Sequence, residues 1–145
     1  MSAERDHRAW NQLALEKLAA GAPELAVDYA RRAHELSRRN PDYLNTLGIA
    51  QAETGELEAA KAAFRKALDL HKQALELARQ GDNRDHEAVI LSNLAGVYEQ
   101  LAEPQTALKL YEQALELTRD SSKKNAELTY LNNIGDMYQI LGDWE

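Results

Sequence analysis

One pattern recurs four times along these 145 residues, and it constrains the fold more than any other feature. Two large apolar residues three apart are followed at once by a small one. The copies are Trp10, Leu13 and Ala14; Leu44, Leu47 and Gly48; Leu91, Leu94 and Ala95; and Leu131, Ile134 and Gly135. Behind the first three copies come the small residues Ala26 and Ala33, Ala60 and Ala67, and Ala107 and Ala114. Phe64 and Tyr111 stand between the second and third of these pairs. Recurrence at such periods is the mark of a stacked array, in which one unit cannot bury its apolar face alone and neighbours complete the core.

Each copy reads as two helices. Spacings of three, four and seven place Trp10, Leu13, Ala14 and Lys17 on one helical face. Gly21 ends the first helix, and Pro23 suits the first turn of the next. Asn40-Pro41 marks a turn, because the residue before proline is pushed out of the α region. Further breaks are predicted at Thr54-Gly55, Gly81, Glu103-Pro104, Ser121-Ser122 and Gly142. Ala, Leu, Glu, Gln, Lys and Arg dominate between them, all good helix formers. The predicted fold is all-α, an α-solenoid of antiparallel helix pairs with about seven helices. The predicted organisation is a single repeat domain over 1–145, with repeats at 7–40, 41–82 and 84–122 and an incomplete one at 124–145.

The copies are unevenly spaced. Leu44 follows Trp10 by 34 residues, Leu91 follows Leu44 by 47, and Leu131 follows Leu91 by 40. From His71 the third copy aligns on the fourth without a gap, so the seven extra residues of the 47-residue step precede His71. Seven residues are two helical turns and shift the buried face by only about 20°. One long helix over about 57–80 is therefore predicted, without a looped insertion.

The pattern of a large residue, Leu-Gly or Leu-Ala, then Gly, Ala, an aromatic and Ala resembles the tetratricopeptide repeat, most clearly in Leu44, Leu47, Gly48, Gly55, Ala60, Phe64 and Ala67. The first copy departs from it: Ala30 stands at the aromatic position, with Tyr29 beside it. Lys17 and Gln51 occupy places where Tyr is commoner. The segments LSNLAGVYEQL and LNNIGDMYQILGD resemble the extended 40-residue variant found in kinesin light chains, polarity adaptors and bacterial signalling proteins.

The resemblance implies a protein–protein interaction scaffold that holds a peptide or a partner helix in a concave groove. The alternative it implies is a regulatory or sensor arm of a larger multidomain signalling protein, with no ligand of its own in this stretch. In the extended variant, groove asparagines bond a bound peptide's backbone. An amide side chain both donates and accepts, which suits that task. The matching positions are Asn93 and Asn133, with Asn11, Asn45 and Asn132 nearby, and Ile49 and Asp136 on the same predicted inward faces. Repeats that clamp a chaperone's C-terminal carboxylate use Lys and Arg beside a groove Asn. Here Arg8 is the one plausible basic candidate, which argues against such a clamp.

Composition narrows the other classes. There is no Cys, so thiolate metal sites and thiol nucleophiles are excluded. The four His are scattered, no HExxH, GxSxG or glycine-rich phosphate loop occurs, and neither an enzyme nor a cofactor is expected. The run Asp82 to Glu87 lacks the Gly and terminal Glu of a calcium loop and reads as a turn plus a helix cap. Net charge is −7, with residues 41–145 at −8 and residues 1–40 at +1. An acidic body repels phosphate backbones, so nucleic acid is not an expected partner. Arg31, Arg32, Arg38 and Arg39 read as a solvated face near a helix end. No apolar run is long enough to span a membrane and the first residues carry no secretory pattern, so a cytoplasmic setting is expected.

The sequence stops where the second helix of a fourth pair would open. It therefore reads as a fragment whose Leu131, Ile134, Met137, Tyr138 and Leu141 lack part of their cover. Self-association through this incomplete repeat is the expected consequence.

Overall fold

Turns of one build set the frame of the chain. In a computed structural model that describes residues 6–119 and 124–142, the helices are α1 (His7–Ala19), α2 (Pro23–Leu36), α3 (Pro41–Glu53), α4 (Leu57–Gln80), α5 (Arg84–Gln100), α6 (Pro104–Thr118) and α7 (Lys124–Leu141). Among the described residues every regular element is a helix. The turns α1–α2, α3–α4 and α5–α6 share one hydrogen-bond pattern. Ala22 N–H donates to the Lys17 carbonyl at 2.8 Å, Glu56 to Gln51 at 2.8 Å, and Glu103 to Tyr98 at 2.9 Å. The residue before each donor lies in the left-handed region: Gly21 (φ 76°), Gly55 (φ 87°) and Ala102 (φ 60°). This six-to-one closure satisfies carbonyls left over at a helix end. Glycine takes that conformation freely. Alanine does not, so Ala102 holds the third turn against its own preference.

The helix starts differ by place in the pair. Asp6, Asn40 and Asn83 cap α1, α3 and α5, each accepting backbone N–H groups of the first turn. The second helices α2 and α6 instead open on Pro23 and Pro104, with no side-chain cap. Asn83 thus fills the capping role read for the Asp82–Glu87 run.

Helix α4 is continuous for 24 residues and lies where the seven-residue excess placed it. Two compact units divide within it, between Leu70 and His71. In the first unit α1 packs on α2 and α2 on α3. Their core holds Ala14, Ala26, Val27, Ala30, Leu47 and Ala50, with Leu18 and Tyr29 packed against it. Alanines at the α1–α2 crossing let the two backbones approach. A Cβ placed on Gly48 would lie 2.6 Å from Phe64 Cε1, so the ring of α4 occupies the space that any side chain there would need. In the second unit α5 packs on α6 and α6 on α7, around Ala95, Ala107, Tyr111 and Met137.

Helix α7 corrects one expectation. Met137 is fully buried, because it lies on the face turned to Ala95, Ala107 and Tyr111. Leu131, by contrast, is 46% exposed. A Cβ placed on Gly135 would meet nothing within 4 Å among the described residues. The reason is shared. Helix α6 covers the Tyr130–Met137 side of α7, and the Leu131–Gly135 side faces outward.

Two substitutions test this frame by urea denaturation. Ala102→Gly should raise stability by about 1 kcal/mol as the left-handed strain is relieved. Gly48→Ala should lower it by about 1–3 kcal/mol through overpacking on Phe64, whereas Gly135→Ala should raise it by roughly 0.5–1 kcal/mol.

Candidate functional site

Sites on a repeat are built from equivalent positions, and in the first unit one such position stands out. The residue after Trp10 is Asn11, and the residue after Leu44 is Asn45. Both are half-buried on neighbouring helices, α1 and α3. The side-chain carbonyl oxygen of each is enclosed, and no donor among the described residues reaches it. An enclosed acceptor without a donor is costly, on the order of 1–3 kcal/mol. Ile49, one turn beyond Asn45, is half-buried. A shared hydrogen bond of 2.6 Å between His7 Nδ1 and the Tyr43 hydroxyl ties the first turn of α1 to that of α3. The rings stand 5.5 Å apart. Burial pushes the Tyr43 hydroxyl above its ordinary value, with the Arg8 charge opposing. Arg8 is exposed, one turn before Asn11.

A second feature of this unit was not read from the sequence. Tyr29 stacks on Trp10 at 5.6 Å, and the Arg32 guanidinium lies 4.7 Å from the Trp10 ring centroid. Trp10, Arg32, Glu35 and Leu36 line an open hollow of about 310 Å³. The arginine cluster is therefore not uniformly solvated. Arg32 caps an indole, and Arg31 stands 4.0 Å from Glu56. Tyr29 next to Ala30 was the available signal, since it supplies an aromatic beside the position where the repeat lacks one.

Gln51 Oε1 and His34 Nδ1 are likewise enclosed without a partner among the described residues. Gln51 is buried, at the place held by Tyr98 in the next copy. Desolvation holds the His34 pKa below its usual value, and the charges of Lys66 and Arg38 act in the same direction against Glu35.

In the second unit the predicted residues are more open. Asn93 on α5 and Asn132 and Asp136 on α7 are exposed, and Asn133 is half-buried. The residue missed here is Glu99. Its carboxylate accepts a short hydrogen bond from the Tyr111 hydroxyl, in the neighbourhood of Asp136. Burial first, then this bond and the two carboxylates, push the Tyr111 pKa far up, so the phenol keeps its proton. Among the described residues no three His, Asp or Glu gather as a metal set, and no helix is long and apolar enough to cross a membrane.

Capped first helices, recurring left-handed turns and small-residue crossings define an all-α helical-repeat protein of the α-solenoid class. The tetratricopeptide repeat family matches residues 41–73, 66–120 and 88–145. The chain belongs to that family. No curated protein matches it. Among solved structures it is similar to the nearly identical TPR-like repeats of a protein described as a kinesin light chain, from Podospora anserina. That match has 17% identity and a TM-score of 0.65, over 98% of this chain and 70% of the other. It is also similar to BtubC (BKLC) from P. vanneervenii, at 18% identity and a TM-score of 0.57, over 95% and 57%. A third is the Yersinia enterocolitica type III secretion chaperone SycD in complex with a peptide of the translocator YopD, at 15% identity and a TM-score of 0.51, over 91% and 92%. At these identities the likeness is one of fold, and it includes the kinesin-light-chain type of repeat.

The His34 shift has a checkable sign. Its folded pKa lies below the unfolded 6.5, so its contribution to stability is present above pH 6.5 and lost as pH falls through the depressed value. Urea midpoints at pH 7.5 and 5.5 should therefore fall less for His34→Gln than for the parent chain.

Proposed function

We propose that this protein is an interaction scaffold whose α1–α3 face holds an extended peptide. The family is one of protein-interaction scaffolds, generally without catalytic activity, and a structurally similar chaperone is known with a peptide bound. The observation that carries the reading is the pair of enclosed, donor-free carbonyl oxygens on Asn11 and Asn45. A peptide's backbone N–H groups are the donors such oxygens lack, and a strand bound as the two amides turn outward would satisfy both at once. Ile49 offers an apolar contact on the same helix as Asn45. Asn93, Asn132 and Asp136 contribute less in this reading, since water already serves exposed polar groups, and the half-buried Asn133 has no such enclosed oxygen among the described residues.

Affinity and stability should then move in opposite directions. Peptides selected against the chain from a random display library should bind the Asn11→Ala, Asn45→Ala double variant at least 10-fold more weakly. The urea midpoint of that variant should be unchanged or higher, because a costly unpaired acceptor has been removed. Binding that survives both changes, or is instead lost on Asn93→Ala with Asn133→Ala, overturns the assignment.

A further inference from the structure

One turn beyond each enclosed asparagine stands an aliphatic side chain. Leu15 follows Asn11 by four residues on α1, and Ile49 follows Asn45 by four on α3, so each pair shares a helix face. Leu15 is 42% exposed and Ile49 is half-buried. Neither belongs to the core around Ala14 and Leu47. The repeat does not need an aliphatic residue at this place either. The later copies hold Gly96, four beyond Ser92, and Asp136, four beyond Asn132, and α5 and α7 are helices all the same. Two open aliphatic residues that the core does not use are thus aligned with two acceptors that the described residues do not satisfy. The two helices touch directly, and the His7–Tyr43 bond ties their first turns.

We infer that the α1–α3 face selects peptides carrying two aliphatic side chains two residues apart, of the Val-x-Val or Leu-x-Ile kind. The inference rests on the reading of this face as a peptide groove, and it adds the chemistry that the peptide must carry. In an extended strand, side chains two residues apart point to the same face with a spacing of about 6.8 Å. Neighbouring helices lie roughly 8–10 Å apart, a separation that two such side chains bridge by leaning outward. A strand crossing α1 and α3 turns one edge of N–H groups to Asn11 and Asn45. It lays one aliphatic side chain against Leu15 and the next but one against Ile49. None of the four contact residues is charged. A charged peptide residue at either place gives up water and gains no counter-ion, which costs affinity. Burial of aliphatic surface favours binding instead, and β-branched residues also suit the extended form.

The test pans a random heptapeptide display library against the intact chain and against Leu15→Arg. Leu15 is exposed and outside the core, and arginine is an equally good helix former, so this variant should keep the parent's urea midpoint. Peptides selected by the parent should carry the aliphatic pair. Their affinity, read by fluorescence anisotropy, should fall at least 10-fold against Leu15→Arg. Peptides selected by Leu15→Arg should carry Asp or Glu in place of one of the two aliphatic residues, a switch that a merely structural role for Leu15 does not produce. A second variant, Ile49→Gln, should relax the selection at the other position alone. Binding of both peptide sets should still weaken on Asn11→Ala with Asn45→Ala. Parent-selected peptides that depend on the two asparagines but lack the aliphatic pair, or that bind Leu15→Arg equally well, overturn this inference and leave the groove reading standing. Selected peptides indifferent to the asparagines, or no selected peptide at all, overturn both.

Discussion

The interlock of an aromatic ring with a missing side chain governs this molecule. Phe64 reaches so close to Gly48 that even a methyl group would collide with it. That contact fixes how near α4 can lie to α3, and hence which residues of each helix are enclosed. Tyr111 does similar work in the second unit, among Ala95, Ala107 and Met137. Neither unit has a large shared interior of bulky side chains. Alanine is the commonest buried residue in both, so cohesion comes in large part from short interhelical distances and many weak dispersion contacts. Such packing tolerates little change in volume at the crossing points.

Helix positions were legible in the sequence because their ends carry strong local chemistry. Proline at the start of α2, α3 and α6, asparagine caps on α3 and α5, and left-handed glycines need no tertiary information to be read. The continuity of α4 was legible too, since a seven-residue excess preserves the buried face. What escaped was which face of each helix its neighbour covers. Leu131 and Met137 sit on one helix with comparable hydrophobicity, yet one is exposed and the other enclosed. Only the position of α6 decides between them. The same blindness hid the Glu99 partner of Tyr111 and the Arg32–Trp10 stack, since polar contacts between helices leave no periodic trace.

The asparagines show a further separation. The family resemblance pointed first to Asn93 and Asn133, whereas enclosure without a donor singles out Asn11 and Asn45. Residue type alone cannot distinguish a solvated amide from a strained one. The difference is one of burial, on two helices that the His7–Tyr43 bond ties together. In the proposed reading, recognition would draw on this unmet hydrogen-bonding capacity, whose cost falls on the folded scaffold.

Packing of each helix on its successor in the chain, from α1 to α3 and again from α5 to α7, bears on how the protein reaches its native state. No distant loop has to close before a contact forms, so the entropic barrier is small and microsecond-to-millisecond folding is the expected regime. Nascent hairpins can consolidate while later ones are still being synthesised. By the same token, damage to one crossing should fray its neighbours before the whole array, giving amide protons a graded rather than uniform resistance to exchange.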